Sequence, residues 1–409
     1  MFTRSNANGQ RCLYCGKTYP LYPPIVAGCP ACATEDFKAP LELTYDYPDD
    51  LDWFPEAPLP GLARYAPLLP ALSKSLSLGE GGTPLIPVSS HDLSDKIDIY
   101  IKDESRNPTW SHKDRLNYAV VSTALFTKAN GVVSASSGNH GGSSAAYSAR
   151  SGLPGVILTT TRPPAIASFL QAYGQIVVAV PDVYTRWELI ARLVEEMNYH
   201  PASNQTIPPT NHPFGAENYK TIAYELYLQL GKQAPAAVLV PVGFAELIFG
   251  IYKGFVELKQ YELIKTLPRI IACEPAAGAP LKKAIEAEKP TLMVETEDSD
   301  AYSITVPINS YRGVVAVKGS NGGAVAVNDE QAKQAQAALG RMGIWSELSS
   351  AIAYSAIDQL GSLDINEGPV VVINSSSGFK DINVGKNPVQ EIDGSWDALL
   401  KVLKKAKIL

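Results

Sequence analysis

A lysine in a polar turn ahead of an apolar helix can present a neutral amine, and this chain has one at Lys113, inside DESRNPTWSHKDR (Asp103 to Arg115). The apolar pattern from Leu116 to Phe126 has helical spacing, so the amine stands at a helix N-terminus, where the positive dipole end favours the uncharged form. An uncharged lysine can form a Schiff base with a carbonyl cofactor. Taken alone, Lys113-Asp114-Arg115 also reads as an exposed, charged helix start. The next segment shifts the balance. Gly131 to Ser134 reads as a short strand that runs into Ser136, Ser137, Gly138, Asn139, His140, Gly141 and Gly142, ahead of the apolar Ala145 to Ala149. Small residues let backbone N–H groups approach an anion at a helix N-terminus, and Asn139 adds a side-chain donor.

These segments belong to a longer series. SLGEGGTPLI (Ser77 to Ile86), KDESRNPTWSHKDR (Lys102 to Arg115), SSGNHGGSSAAYSARSGLP (Ser136 to Pro154), YKTIAYEL (Tyr219 to Leu226), VPVGFAELIFGIYKGF (Val240 to Phe255), SNGGAVAV (Ser320 to Val327) and SSSGFKD (Ser375 to Asp381) follow in order. Together they resemble the threonine synthase family of fold-type-II pyridoxal phosphate enzymes, and the resemblance covers almost the whole chain. It implies an α/β, two-lobed architecture, tryptophan synthase β-like, with parallel sheets flanked by helices and the cofactor between the lobes. It also implies roles. Lys113 carries the cofactor as a Schiff base and moves protons at the substrate's carbons, while Asn139 contacts the cofactor's 3-hydroxyl. Ser136, Ser137, Gly138 and His140, with Ser111 ahead of the lysine, surround the substrate carboxylate. Ser375 faces the pyridine nitrogen. A hydroxyl there does not hold that nitrogen protonated, which favours elimination and replacement over transamination. The phosphate is expected on the loop after the strand Ala236 to Val242, where Gly243, Phe244, Ala245, Glu246 and Leu247 offer backbone N–H groups and Gly243 opens a helix.

Several residues depart from the family's pattern. The phosphate loop usually reads glycine, asparagine, glycine and then a small residue, whereas here Glu246 brings a carboxylate that repels a phosphate unless it points away. Trp110 and His112 stand for the glycine and phenylalanine of an Asn-Pro-Thr-Gly-Ser-Phe-Lys motif. Trp110 must fill part of the pocket or move the loop; His112 reads as a packed core residue more readily than as a catalytic one. Threonine synthases proper carry an arginine before Lys-Thr, a bidentate partner for a substrate phosphate. In NHPFGAENYKT (Asn211 to Thr221) its place is taken by Phe214 or Gly215, which argues against O-phosphohomoserine as substrate. Glu217, Lys220 and Glu347 fall in segments that approach the site in relatives, but each reads as structural, Glu347 as a helix-cap carboxylate.

The amino terminus carries a second signal, Cys12-x-x-Cys15 and Cys29-x-x-Cys32, with Gly16 and Gly28 beside the knuckles. Paired C-x-x-C turns supply four thiolates for a structural, tetrahedral Zn site of the ribbon type. Two disulfides are the competing reading; with no secretory segment ahead of Cys12, a reducing compartment and metal are favoured. The fifth cysteine, Cys273, reads as a buried hydrophobe.

The chain has 409 residues, 45% of them hydrophobic, enough for two or three domains. Its formal net charge is −6 with basic residues scattered except in the terminal KVLKKAKIL, so no electrostatic footprint for nucleic acid exists. No apolar run reaches the roughly 18 residues of a membrane span, and a cytoplasmic location is expected. Residues 1–48 are expected to form the cysteine module and 49–409 the catalytic core, with a Pro-rich linker from Asp49 to Pro70 and a smaller lobe near 115–225. Nearly all-apolar strands (IDIYIKD, GVVSAS, PGVILTT, QIVVAV, AAVLVPV, RIIACEP, PVVVINS) alternate with helices, the pattern of parallel sheets covered on both faces. The resulting reading is a cytoplasmic, zinc-containing pyridoxal phosphate lyase or synthase, a homodimer by resemblance. It acts at the β or γ carbon of an amino acid as a threonine synthase-like paralogue with altered specificity. Threonine synthase itself, a cysteate synthase-like β-replacing enzyme, an ammonia lyase and a catalytically silent ligand-binding homologue are the alternatives.

Overall fold

The structure, a computed structural model, describes the chain apart from residues 89–96, 137, 161–163, 363–367, 382–390, 394 and 406–409. An antiparallel amino-terminal sheet has β1 (Ala7–Cys12) between β2 (Thr18–Pro20) and β3 (Leu41–Tyr45). β4 (Leu85–Val88), β5 (Ile99–Asp103) and helix α1 (Lys113–Phe126) follow. A small sheet is then built from β6 (Gly131–Ala135), α2 (Asn139–Ser151), β7 (Gly155–Thr159), α3 (Pro164–Gln171), β8 (Ile176–Ala179), α4 (Val183–Met197) and β9 (Tyr199–Pro201). Beyond α5 (Pro213–Glu217) and α6 (Lys220–Gln229), the large sheet is completed by β10 (Ala237–Pro241), α7 (Glu246–Gln260), β11 (Arg269–Pro275), α8 (Pro280–Glu286), α9 (Tyr311–Gly319), β12 (Gly323–Val327), α10 (Asp329–Arg341), α11 (Leu348–Ser355) and β13 (Val370–Asn374). Helix α12 (Trp396–Lys405) comes last.

The small sheet has the order β8-β7-β6-β9 and is parallel throughout. The large sheet has the order β12-β11-β10-β13-β5-β4, parallel except for β4 at the edge, where Pro87 removes no hydrogen bond from a central ladder. Its inner strands β10, β11 and β13 are apolar along most of their length because both faces are covered. Val238, Val240, Ile270, Ala272, Val371 and Ile373 enter one core, and Ala237, Leu239, Ile271, Cys273, Val370 and Val372 enter the other, the period-2 alternation of a strand. Cys273 is thus the buried hydrophobe expected of it, and burial pushes its thiol up. The run QIVVAV differs from its expected burial: β8 is an edge strand, and Ile176 and Val178 are exposed. Within the stretch from Asp49 to Pro70, Leu62, Tyr65, Leu68 and Leu69 are buried.

The amino-terminal sheet is tied to the rest by buried charge. Glu217 on α5 accepts hydrogen bonds from the Leu43 N–H of β3 (3.0 Å) and the Tyr45 hydroxyl (3.1 Å), and pairs with Lys253 (2.7 Å) and Lys220 (2.9 Å). Lys253 also donates to the Leu43 carbonyl (2.6 Å). Glu217 and Lys220 are therefore structural, as expected, though in a buried cluster that joins two modules. Burial opposes the Glu217 charge, but Lys220 and Lys253 outweigh it and hold the carboxyl at about 2. Because that value lies below the ordinary one of 4.5, the stabilisation is present above pH ~4.5 and is lost as the pH falls toward ~2. Glu217→Gln should cost about 3–5 kcal/mol at neutral pH by leaving two buried ammonium groups short of a partner. Thermal unfolding of the two proteins should converge as the pH falls from ~4.5.

Candidate active site

The loops that follow β6, β10 and β13 open on one cavity of about 840 Å³, at the carboxyl ends of parallel strands where ligands bind in open α/β sheets. Besides α4, whose start Asp182 caps, four helix N-termini reach it: α1 at Lys113, α2 at Asn139, α7 at Glu246 and α11 just after Glu347. In none of them does the N-cap side chain (His112, Gly138, Ala245 or Glu347) take a cap hydrogen bond. First-turn N–H groups lack intrahelical acceptors, so four positive ends gather at one space, which suits an anionic ligand. Helix α7 starts at Glu246 and not at Gly243 as expected, because Ala245 takes a left-handed conformation (φ 64) that ends the loop three residues later. Asn211, itself left-handed (φ 57), donates to the Phe244 carbonyl (2.7 Å) and braces this loop.

Lys113 is positioned by its neighbours in sequence. Asp114 and Arg115 are fully buried, so the charged triplet is no exposed helix start. Asp114 accepts from the Thr109 N–H (2.6 Å), the Thr109 hydroxyl (2.5 Å) and the Ser143 hydroxyl of α2 (2.6 Å). Arg115 bridges Glu104 (2.7 Å) and Glu225 (2.6 Å), and Lys102 joins Glu225 (2.6 Å). These anchors set the first turn of α1 and leave the Lys113 amine in the cavity, 3.6 Å from Glu246. Glu246 thus points into the site rather than away from it.

The Ser136–His140 loop lines the same cavity. The Ser136 hydroxyl accepts from the Gly138 N–H (3.2 Å), and Ser137 lies outside the described residues. Burial, and then the Lys113 charge, push the His140 imidazole down to about 3 against an opposing contact with the Ala202 backbone, so it is neutral. Asn139 donates to Glu347 (2.5 Å), which also accepts from the Ser376 hydroxyl. Glu347 is thus a cavity residue and makes no side-chain cap bond, a correction to its reading as a cap carboxylate; its place directly before a small-residue helix start was the available signal.

Ser375, Gly243, Phe244, Ala245 and Leu247 line the cavity as well. Ser111, by contrast, is fully buried, its hydroxyl without a partner among the described residues, and it does not line the cavity. His112 is not a packed core residue: it lines the cavity, its Nδ1 lies 3.0 Å from the Ser375 carbonyl and its ring 5.5 Å from that of Tyr219. The carbonyl can only accept, so Nδ1 carries the proton. Trp110 also lines the cavity, in a left-handed conformation (φ 65). Of the two residues expected at the family's arginine, Phe214 is buried in an apolar cluster with Leu43, Tyr45 and Leu68. A Cβ on Gly215 would stand 2.9 Å from Leu116 and 3.0 Å from Val120.

The four amino-terminal cysteines present Sγ atoms within 4.8 Å of one another, with Cys12 3.6 Å from Cys32 and Cys15 3.7 Å from Cys29. The N–H groups of Tyr14 and Cys15 point at the Cys12 sulfur (3.4 and 3.5 Å) and the Tyr19 hydroxyl at the Cys29 sulfur (3.0 Å). Donors directed at clustered sulfurs suit thiolates around a cation.

A lysine amine in the cavity, an uncapped helix start, an amide side chain and a neutral imidazole fit pyridoxal phosphate with an amino acid. Parallel sheets whose loops carry this lysine site define the fold-type-II class of pyridoxal phosphate enzymes. The chain belongs to the pyridoxal-phosphate dependent enzyme family, whose model matches residues 76–376. It is 33% identical to the threonine synthase of Methanocaldococcus jannaschii, over 97% of this chain and 99% of that protein. It is 30% identical to the threonine synthase of Methanosarcina acetivorans with the same coverage. Among solved structures, O-ureido-L-serine synthase aligns with a TM-score of 0.64 at 19% identity, over 81% of this chain and 99% of that one. An L-serine ammonia-lyase from Rhizomucor miehei gives 0.62 at 20%, over 73% and 94%. Among the described residues, no helix is long and apolar enough to cross a membrane.

Proposed function

We propose that this enzyme eliminates or replaces a substituent at the β or γ carbon of an amino acid, as a threonine synthase-like paralogue whose substrate is not O-phosphohomoserine. The observation that carries the reading is the convergence of Lys113 and four uncapped helix starts on one cavity. Pyridoxal phosphate, when bound, supplies an electron sink for the pair left behind as the α-proton departs. Lys113 would carry it and serve as the base that removes and returns that proton. The N–H groups from Phe244 to Leu247 would hold the phosphate, with Gly243 at the turn. Asn139, oriented by Glu347, would meet the 3-hydroxyl, and Ser375 would face the pyridine nitrogen. Ser136, Ser137, Gly138 and His140 would take the substrate carboxylate, for which a neutral imidazole offers a donor without adding a charge.

The altered specificity rests on the missing arginine: Phe214 is buried in an apolar cluster and Gly215 has no room for a side chain. The cysteine cluster would hold a structural Zn, closed because all four ligands come from the protein. The test is proton NMR in D₂O of the cofactor-loaded protein with serine, threonine, O-acetylserine and O-phosphoserine. Loss of the α-proton signal together with release of the substituent is expected for at least one; retention of every α-proton would mean that the site only binds.

Glu246 should make the cofactor bind less tightly than it otherwise would, because its carboxylate sits in the first turn that must receive a phosphate. Glu246→Gly is expected to tighten cofactor binding by about tenfold, ~1.4 kcal/mol, in an absorbance titration. Weaker binding would instead mean that its contact with Lys113 holds the amine in place.

A further inference from the structure

Trp110, Phe169 and Phe379 form an aromatic wall on the cavity. The rings of Trp110 and Phe169 lie 6.1 Å apart and 24° from parallel, and those of Trp110 and Phe379 lie 6.3 Å apart at 42°. Trp110 is 47% exposed and Phe379 74%, far from the burial of core aromatics. The backbone around Trp110 is fixed, its N–H donating to the Asn107 carbonyl (2.8 Å) and its carbonyl accepting from the Ser377 N–H (3.0 Å). At φ 65 an L residue is strained where glycine would not be. Phe169 is seated on α2 at Gly142, where a Cβ would come within 2.0 Å of the ring. Phe169 is partly buried against Ala145, Ile157 and Leu170 and so is the fixed floor of the wall, whereas the strained backbone at Trp110 and the exposed rings of Trp110 and Phe379 serve no packing purpose that buries them.

The charges of the cavity point the same way. Besides Lys113, Arg186 brings a guanidinium to the lining, one turn from Asp182, while Glu246 and Glu347 add carboxylates. The side-chain cations of the lining thus stand near carboxylates, Lys113 by Glu246 and Arg186 by Asp182, whereas a flat neutral ring finds stacking partners on the aromatic wall.

We infer that this wall is a subsite for a neutral aromatic ring, carried either by the amino acid or by the nucleophile that replaces its leaving group. The inference rests on the amino-acid reading above. Its test is calorimetric titration of the cofactor-loaded protein with L-phenylalanine, indole, L-alanine and O-phospho-L-serine, on the wild type, Trp110→Gly and Phe379→Ala. One ring probe should bind at least tenfold more tightly than L-alanine, and Trp110→Gly should remove that preference while leaving L-alanine binding and the unfolding midpoint intact or the midpoint raised. Phe379→Ala, at an exposed position, should weaken the same probe severalfold. Preference for L-phenylalanine places the ring on the amino acid, and preference for indole places it on the second reactant. Equal binding of ring probes and L-alanine, or a preference that survives Trp110→Gly, overturns the subsite. Exchange of the L-alanine α-proton in D₂O separates the two failures: exchange without ring preference sinks the subsite alone, while no exchange with any of these amino acids counts against the amino-acid reading itself.

Discussion

Lys113→Ala should abolish both turnover and covalent attachment of the cofactor. Borohydride treatment of the cofactor-loaded wild type should fix pyridoxal phosphate to one peptide, that containing Lys113, and the variant should take up none. Turnover should fall on the order of 10⁴-fold or more, since the variant loses a positioned base and the group that holds the cofactor. The fold should survive. The Lys113 side chain is partly exposed and its ion-pair partner is Glu246, whereas the anchors of the helix start are Asp114 and Arg115. Other lysines are poor substitutes: Lys102, Lys220 and Lys253 are buried in ion pairs with Glu225, Glu217, Glu257 and Glu42. Mass mapping of the reduced protein checks the expectation, and a label on any other lysine would assign the chemistry elsewhere.

Removing the metal proposed for the cysteine cluster should loosen the cofactor as well as the ribbon. The ribbon's own core is small, with Cys12, Cys29, Ala39 and Leu41 as its buried residues, too little to hold it without a cross-link. From it a short path runs to the cofactor loop. Thr210 donates to the Val26 carbonyl (2.6 Å) and packs on Gly28, next to Cys29. Its neighbour Asn211 donates to the Phe244 carbonyl (2.7 Å). Arg312 adds a second link, donating to the carbonyls of Leu41 and Thr210. Cys12→Ser/Cys29→Ser, or chelation, should therefore remove about one Zn per chain by metal analysis and weaken cofactor binding at least tenfold in an absorbance titration. Metal-free protein with unchanged cofactor affinity would show that the ribbon is an appendage.

Much of this was legible in the sequence because motif residues are adjacent in the chain and the loops they form are local. Lys113, Asn139 and the loop from Gly243 to Leu247 could be placed from strand, small-residue loop and helix in succession. The nearly all-apolar strands RIIACEP and PVVVINS announced a sheet covered on both faces, and the structure puts them there. QIVVAV shows the limit, since composition cannot distinguish a central strand from an edge. Tertiary partners were not legible. Glu347 was read as a cap because Asn139 and Ser376, which it binds, come from distant segments. His112 was read as core because the carbonyl it meets belongs to Ser375, 263 residues on. The direction of Glu246 depends on a pair with Lys113 across the cavity, and the later start of α7 on one left-handed residue, Ala245. Burial of Asp114 and Arg115 overturned the plainest reading of a charged triplet.

The most direct measurement is a side-by-side assay of the cofactor-loaded enzyme with O-phosphohomoserine and with β-substituted amino acids, following phosphate release and amino acid products. The buried Phe214 and the closed space at Gly215 predict no threonine from O-phosphohomoserine under conditions in which a β-substituted substrate turns over. Threonine formed from O-phosphohomoserine at the faster rate would contradict the altered specificity and make the enzyme a threonine synthase that binds its substrate phosphate without that arginine.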